Sequence, residues 1–318
     1  MTGAAGFIGG HVVAELASGG AQVVAFDRAG GDSPVAGVEA VEGDVLDRDA
    51  LLHAMRGCDA VFHLAAVYSY SRTQAGAMQA VNVEGTRAVL DAAARAGVRR
   101  IVHTSSCATC GPVAGRAATE ADGPPSWELA VPYKRTKLEA ERLALAGARE
   151  RLDVVVVNPT TPVGPGDRGP TPTGKMVADI ARGRVRAYLA AGALNVVAVR
   201  DVAVGHRLAF ERGRCGERYL LGGENLPMRE VFATVARAAG RPAPRIAVPW
   251  TVAYGAARVG DAALRLAGRE PSLLVLDEVR LARLPMTFDD AKARTELGYT
   301  SRPARDALAA AARAALAD

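Results

Sequence analysis

Gly3-Ala4-Ala5-Gly6-Phe7-Ile8-Gly9 is the stretch on which the reading of this chain turns. Three glycines at spacing three, opening a helical pattern over 9–18, permit a tight turn. They also let backbone N–H groups approach a pyrophosphate at a helix N-terminus. The trio alone fits an ordinary turn equally well. The next residues of the chain narrow the choice: 21–26 reads as a strand, and Asp27 stands directly after it. That is where an acid would meet the hydroxyls of an adenosine ribose. Asp27 disfavours the extra phosphate of NADP, and the adjacent Arg28 offsets this in part. NAD is therefore the expected dinucleotide and NADP the alternative.

Working outward, the first half alternates short β-branched runs with helical patterns. Strands are expected at 21–26, 38–41, 60–64, 99–104 and 153–158, and helices at 9–18, 47–55, 75–96 and 132–149. This alternation implies βαβ crossovers and a parallel sheet covered on both faces, a doubly wound Rossmann-like α/β fold. After Asn158 the pattern breaks at Pro159, Pro162, Pro165, Pro170 and Pro172, where a helix or a central strand is not expected. Helices return at 175–182, 202–212, 228–239, 250–267 and 306–317, with a strand at 195–199. The expected division is a dinucleotide-binding domain over 1–160, taking in 195–212. A smaller, mostly helical substrate lobe covers 161–194 and 213–318, some of it packing back on the sheet. The glycine loop should follow a central strand, yet the chain reads Met1-Thr2-Gly3. The expectation is a natural start several residues earlier, with a valine codon read as Met1; an intact mass of the native protein decides it.

The 318 residues carry a net charge of +5, with the basic residues scattered, so no nucleic-acid surface is expected. No run approaches the roughly 18 apolar residues of a membrane span, and no leader pattern opens the chain; the cytoplasm is the expected location. Cys107 and Cys110 form a lone C-x-x-C, too few ligands for a structural zinc site. Packing beneath a strand end is the expected role, and no metal is expected.

Of 39 basic residues only Lys134, Lys137, Lys175 and Lys292 are lysine. A lysine kept in so arginine-rich a chain points to a property arginine lacks, such as a tunable pKa. Tyr133 and Lys137 lie four apart, on one face of a helix. Proton exchange with an alcohol is their natural joint task, the ammonium lowering the phenol's pKa. A surface Tyr and Lys at this spacing are also common. The strand at 99–104 runs into Thr104-Ser105-Ser106, at the edge where sites of open α/β sheets lie.

Taken in order, Gly3…Gly6…Gly9, Gly43-Asp44-Val45, His63-Leu64-Ala65-Ala66, Asn82-Val-Glu-Gly85-Thr86, Thr104-Ser105-Ser106 and Tyr133…Lys137 resemble the motif series of extended short-chain dehydrogenases. The resemblance implies catalytic roles for Ser106, Tyr133 and Lys137, with Ser105 the fallback for Ser106. It implies dinucleotide contacts from Gly3, Gly6, Phe7, Ile8, Gly9, Asp27, Arg28, Asp44, Val45, Leu64, Ala65, Ala66, Tyr133, Lys137 and Pro159. Ser106, Thr160 and Thr161 would meet the substrate. Asn82 would hold local structure, and His63 would belong to the strand end and not serve as a base. Two copies would pair through the helices at 75–96 and 132–149.

The second half, with Val157-Asn-Pro-Thr-Thr-Pro-Val-Gly-Pro165, Pro170-Thr-Pro-Thr-Gly174-Lys175 and Leu221-Gly-Gly-Glu-Asn225, is similar to hopanoid-associated sugar epimerases and, next, to dihydroflavonol-reductase-like enzymes. Hydride transfer at a secondary alcohol or ketone is the implied reaction, as a sugar epimerase or reductase. A dihydroflavonol-reductase-like ketone reductase is the alternative, and a non-catalytic dinucleotide-binding protein a further one, against which Ser106, Tyr133 and Lys137 argue. In UDP-sugar epimerases an arginine opens the Arg-Asp-Tyr-Ile-His-Val segment and clamps the diphosphate. Aligned on Val199-Arg200-Asp201, that place holds Leu194, which cannot form the contact. Only Arg280 or Arg283 is left for a second clamp. The Asp-Glu pair of 4,6-dehydratases is here Cys107-Ala108. The apolar helix at 250–267, with Trp250 and Tyr254, is expected as lobe core, or else as a wall for a bulky, lipid-like substrate.

Overall fold

The computed structural model describes residues 1–29, 35–150, 152–266 and 276–317. In the first part, α1 (Phe7–Ser18), β1 (Val24–Asp27), β2 (Glu39–Glu42), α2 (Arg48–Ala54) and β3 (Ala60–His63) alternate. They are followed by α3 (Ala75–Met78), α4 (Gly85–Ala96), β4 (Arg100–Thr104), α5 (Pro132–Glu150) and β5 (Asp153–Pro159). β3, β4 and β5 pair in parallel, and β1 pairs in parallel with β2. Met1–Thr2 lies between the two parts. Thr2 bridges Phe26 on one side and His63 on the other. Its N–H donates to the Phe62 carbonyl (3.0 Å), and the Leu64 N–H donates to the Thr2 carbonyl (3.1 Å).

A strand covered on both faces reads as an unbroken apolar run, because each face needs its own side chains. Val154-Val155-Val156-Val157 shows this directly. Val155 and Val157 join Val12, Leu16, Leu208 and Tyr219 in one core, and Val154 and Val156 join Leu51, Val89, Ala92 and Ile101 in the other. Period two in the strand thus feeds two helical layers.

Beyond β5 come β6 (Thr161–Val163), α6 (Pro172–Ala181), β7 (Ala187–Leu189), β8 (Ala193–Ala198), α7 (Val199–Arg212), β9 (Arg218–Leu221), β10 (Glu224–Pro227) and α8 (Met228–Ala238). The last elements are β11 (Ile246–Val248), α9 (Trp250–Leu266), α10 (Leu276–Leu281), α11 (Ala291–Leu297) and α12 (Ala304–Ala317). β9 returns to extend the main sheet beside β5, while α7 packs back on α1. A second sheet, β10-β8-β6, carries α6, α8 and α12. A third pairs β7 with β11. Among the described residues no helix is long and apolar enough to cross a membrane.

The structure corrects some expectations. The helix over 75–96 is interrupted: between α3 and α4 the chain makes a π-helical turn, Gln79–Glu84. Asn82 lies within this turn, and its side chain accepts the Val67 N–H (2.7 Å) and donates to the Val67 carbonyl and to Thr136 Oγ1. The proline-rich stretch contains β6, with Pro162 at its middle, tolerated because β6 is an edge strand. α6 begins at Pro172, earlier than expected, with the Thr171 side chain capping the Gly174 N–H. Proline suits that first turn because its missing N–H would have no partner there. α9 runs as anticipated through Leu266; Ala267 lies outside the described residues.

Candidate active site

The glycine loop closes on itself. Gly3 adopts φ +71°, and a Cβ there would sit 2.5 Å from the Ala65 nitrogen; at Gly9 it would sit 2.0 Å from the Gly3 carbonyl oxygen. Only glycine leaves backbone close enough for this packing. Gly6 is the residue ahead of α1, with no side chain capping the helix end. The amide end of α1 is thereby left uncapped, as an anion-binding helix end requires. Asp27 ends β1 and accepts the Ala5 N–H at 2.9 Å, tying the strand tip to the loop. These features fit a dinucleotide.

A cavity of about 520 Å³ opens where the strand ends meet this loop. Gly3, Gly6, Phe7, Ile8 and Gly9 form one side, with Leu64 and Ala66 beside them. Ser106, Tyr133 and Lys137 form the floor, and Pro159, Thr160 and Thr161 continue it. The remaining predicted residues lie off the cavity. Ala65 stands behind Gly3. Val45 is buried in the core beneath α4, and Asp44 closes a turn onto the Leu46 N–H. Arg28 is exposed.

β4 delivers Thr104, Ser105 and Ser106. The Ser106 hydroxyl accepts the Ala108 N–H at 3.2 Å, holding a short turn over Cys107–Thr109. The Ser105 hydroxyl is buried without a partner among the described residues. α5 presents Tyr133 and Lys137 one turn apart; Lys137 Nζ donates to the Thr104 carbonyl oxygen at 2.8 Å. Burial lowers this ammonium to about 8, against the upward pull of Glu141 one turn further on.

Tyr133 departs from the sequence expectation. Its phenol is pushed up to about 12, by burial first, with Ser106 pulling it down. Lys137 is not among the groups that set it; burial is the larger effect. A protonated phenol at neutral pH suits donation to a carbonyl oxygen.

Behind the floor, Glu141 accepts from Thr109 Oγ1 (2.7 Å), Asn158 Nδ2 (2.6 Å) and Arg218 Nη1 (2.7 Å). Asn158 also donates to the Ser106 carbonyl at 3.1 Å. Sequence reading passed over this network, although Asn158 closes the β5 run at the sheet edge where sites lie. It also passed over Tyr68 and Tyr70, which line the cavity. Tyr68 packs on the Tyr133 ring with centroids 4.4 Å apart. Their position, just after His63-Leu-Ala-Ala66, was the available signal.

His63 bonds Thr2 Oγ1 (2.7 Å) and Thr86 Oγ1 (3.0 Å), and burial lowers it to about 3. It stands at the end of β3, with both ring nitrogens engaged by hydroxyls. Cys107 and Cys110 are buried with Ala118, Leu220 and Phe288. Desolvation pushes the Cys107 thiol up to about 12, which suits packing.

A family model described as the NAD dependent epimerase/dehydratase family matches residues 1–222. The chain belongs to that family. It is 39% identical over 317 residues to a Synechocystis sp. protein named as a dihydroflavonol 4-reductase, covering 97% of this chain and 92% of that one. It is 35% identical over 313 residues to the sterol demethylase protein B of Methylococcus capsulatus, covering 97% and 95%. The crystal structure of MoeE5 in complex with UDP-glucuronic acid and NAD is similar at 29% identity and TM-score 0.78, covering 99% and 98%. This NAD-dependent epimerase/dehydratase-family chain is therefore an enzyme whose relatives include reductases.

Among the described residues, no arginine lines its cavity. Leu194 stands there on β8, with Met176, Leu189, Met228 and Met286. Arg283 lies instead over the Trp127 and Trp250 rings. Trp250 stacks on Tyr254 at 4.8 Å, in the part of the lobe that packs α9 on α10.

Proposed function

We propose that this enzyme exchanges a hydride at a ketone or secondary alcohol on a largely apolar small molecule, as a reductase or dehydrogenase. The observation that carries this is the cavity wall of Leu194, Leu189, Met176, Met228 and Met286, with no arginine among its described residues. An arginine fork is the strong bidentate clamp for a substrate diphosphate, and this wall holds none among the described residues. It does offer apolar burial, at about 25 cal/mol per Å². The names of the reductase-type relatives support the same reading. A sugar-nucleotide epimerase, as in the likeness to MoeE5, is the second reading.

In this reading Gly3, Gly6, Phe7, Ile8 and Gly9 cradle the pyrophosphate of the dinucleotide, and Asp27 meets its adenosine ribose. Asp44, Val45, Leu64, Ala65, Ala66 and Pro159 frame it, and Lys137 and Tyr133 hold its nicotinamide ribose. When bound, the dinucleotide supplies or receives the hydride. Ser106 orients the substrate oxygen by hydrogen bonding, flanked by Thr160 and Thr161. Tyr133 gives its phenolic proton to that oxygen in reduction and takes it back in oxidation. The Lys137 ammonium, held by Thr104, is kept in place for the nicotinamide ribose. Asp27 at the β1 tip supports NAD over NADP, with Arg28 free to moderate it. The dinucleotide is assigned to 1–160 with 195–212, the substrate to the remainder, and two copies to pairing through α4 and α5.

The test is purification followed by gel filtration. Protein free of dinucleotide that oxidises added NADH, more than NADPH, against apolar ketones supports the proposal. Tightly retained NAD with conversion of UDP-sugars overturns it in favour of the second reading.

A further inference from the structure

Two walls of the cavity come from distant parts of the chain. The loop after β3 carries Tyr68 and Tyr70, and α10 carries Glu278. A two-pronged ion pair joins them: Arg72 Nε and Nη2 donate to the two Asp277 carboxylate oxygens, each at 2.9 Å. Asp277 is buried, at 3% exposure, and Arg72 is half exposed. The fork-to-fork geometry fixes orientation as well as distance. Arg72 follows Tyr70 by two residues and Asp277 immediately precedes Glu278, so the pair sets these side chains against each other.

What it assembles is a polar patch in an apolar cavity. The Tyr68 and Tyr70 hydroxyls are 3.1 Å apart, and both rings pack on Tyr133, at 4.4 and 6.2 Å between centroids. Glu278 lines the same cavity. Among the described residues no hydrogen bond or ion pair closes on it. Desolvation raises its pKa, against a weaker downward pull from Lys175, an ammonium already paired with Asp179 at 2.8 Å. Glu278's charge in turn helps to raise Tyr70. Glu278 is exposed, so water satisfies the carboxyl at rest, and a donor on a bound molecule would take that water's place.

We propose that Glu278, with the Tyr68–Tyr70 hydroxyl pair, forms a second polar subsite. It binds a hydrogen-bond-donating group, a hydroxyl or an ammonium, on a substrate whose carbonyl meets Ser106 and Tyr133. Arg72 and Asp277 are positioning residues for this subsite. The proposal rests on the cavity being the substrate site. It narrows the substrate to an apolar ketone that also carries a donor, and excludes a plain hydrocarbon ketone as the preferred one.

The test is calorimetric binding of three probes in the presence of saturating NAD. These are 4-phenylbutan-2-one, its 4-hydroxyphenyl counterpart and its 4-(aminomethyl)phenyl counterpart. The wild type should bind at least one donor-bearing probe about tenfold or more tightly than the plain ketone. Glu278→Leu should bring that preference close to unity. Glu278→Gln should keep a preference for the hydroxyl, which its amide oxygen can accept, and lose one for the ammonium. Arg72→Gln should weaken the preference without touching the subsite directly. Equal binding of all three probes by the wild type, or a preference surviving Glu278→Leu, overturns the proposal. Because binding is read without turnover, a preference that holds while NADH reduces none of the probes would sink the reductase reading and leave the subsite standing.

Discussion

Lys137 is anchored on Thr104: its ammonium donates to that carbonyl oxygen at 2.8 Å, at the end of the strand that leads to Ser106. Glu141, one turn along α5, raises the pKa of an ammonium that burial otherwise lowers to about 8. If the charged ammonium is the working form, activity is lost as pH rises through its pKa. Glu141→Gln removes the opposing charge, so Lys137 should lose its proton at lower pH. The alkaline limb of the kcat/KM profile should then move to lower pH. A profile that scales down uniformly without moving would show that Lys137's charge is not what the limb reports.

Tyr133→Phe should cut kcat by about 10²–10⁴-fold, the range for losing a positioned acid/base. Its thermal midpoint should stay near wild type, since Tyr133 lines the cavity and belongs to none of the apolar cores of the described residues. Activity within tenfold of wild type would remove the phenol from the chemistry.

Two neighbouring glycines should behave in opposite ways. Gly9→Ala places a Cβ 2.0 Å from the Gly3 oxygen, whereas at Gly10 the nearest such contact is the Ala4 oxygen at 4.0 Å. The first should weaken NADH binding and destabilise the fold by about 1–3 kcal/mol through overpacking. The second should stabilise it by about 0.5–1 kcal/mol through helix propensity. Urea midpoints and NADH fluorescence titrations of both variants test the pair.

Acid should unfold this enzyme early. His63 is lowered to about 3, His206 to about 4 and His103 well below 6.5, in each case chiefly by burial. The unfolded chain binds protons near pH 6.5 that the native state refuses, so stability is full above that pH and falls below it. At pH 5 His63 and His206 together forfeit about 4 kcal/mol, a large share of the net stability of many domains, and His103 acts in the same direction. Chemical denaturation at pH 7.5, 6 and 5 should show the decline; a flat profile would mean that these imidazoles are not excluded from protonation.

The first half of the fold was legible because its signals are local. Valine runs such as Val154–Val157 need two covered faces, and Gly9 tolerates nothing larger. Tyr133 and Lys137 were legible from helical spacing, but the phenol's pKa was not. Spacing shows that an ammonium is near, and only the fold shows that it is committed to Thr104 and that burial prevails. β7, β9, β10 and β11, each of three or four residues, are too short to carry a period. Glu278 was illegible for a different reason. Its meaning comes from Arg72, about two hundred residues earlier, and no local pattern records that meeting.

The π-helical turn at Gln79–Glu84 has a consequence for how this site tolerates change. Such a turn holds about one residue more than an α-turn, and here that surplus aims Asn82 at Val67 and Thr136. Removing any one residue from the segment would let the helix run straight and rotate everything before it by about a third of a revolution. Asn82 would then address a different neighbour even with its identity intact. In this stretch the arithmetic of the chain matters more than its spelling: a one-residue deletion should harm the loop bearing Tyr68 and Tyr70 more than replacing any single side chain there.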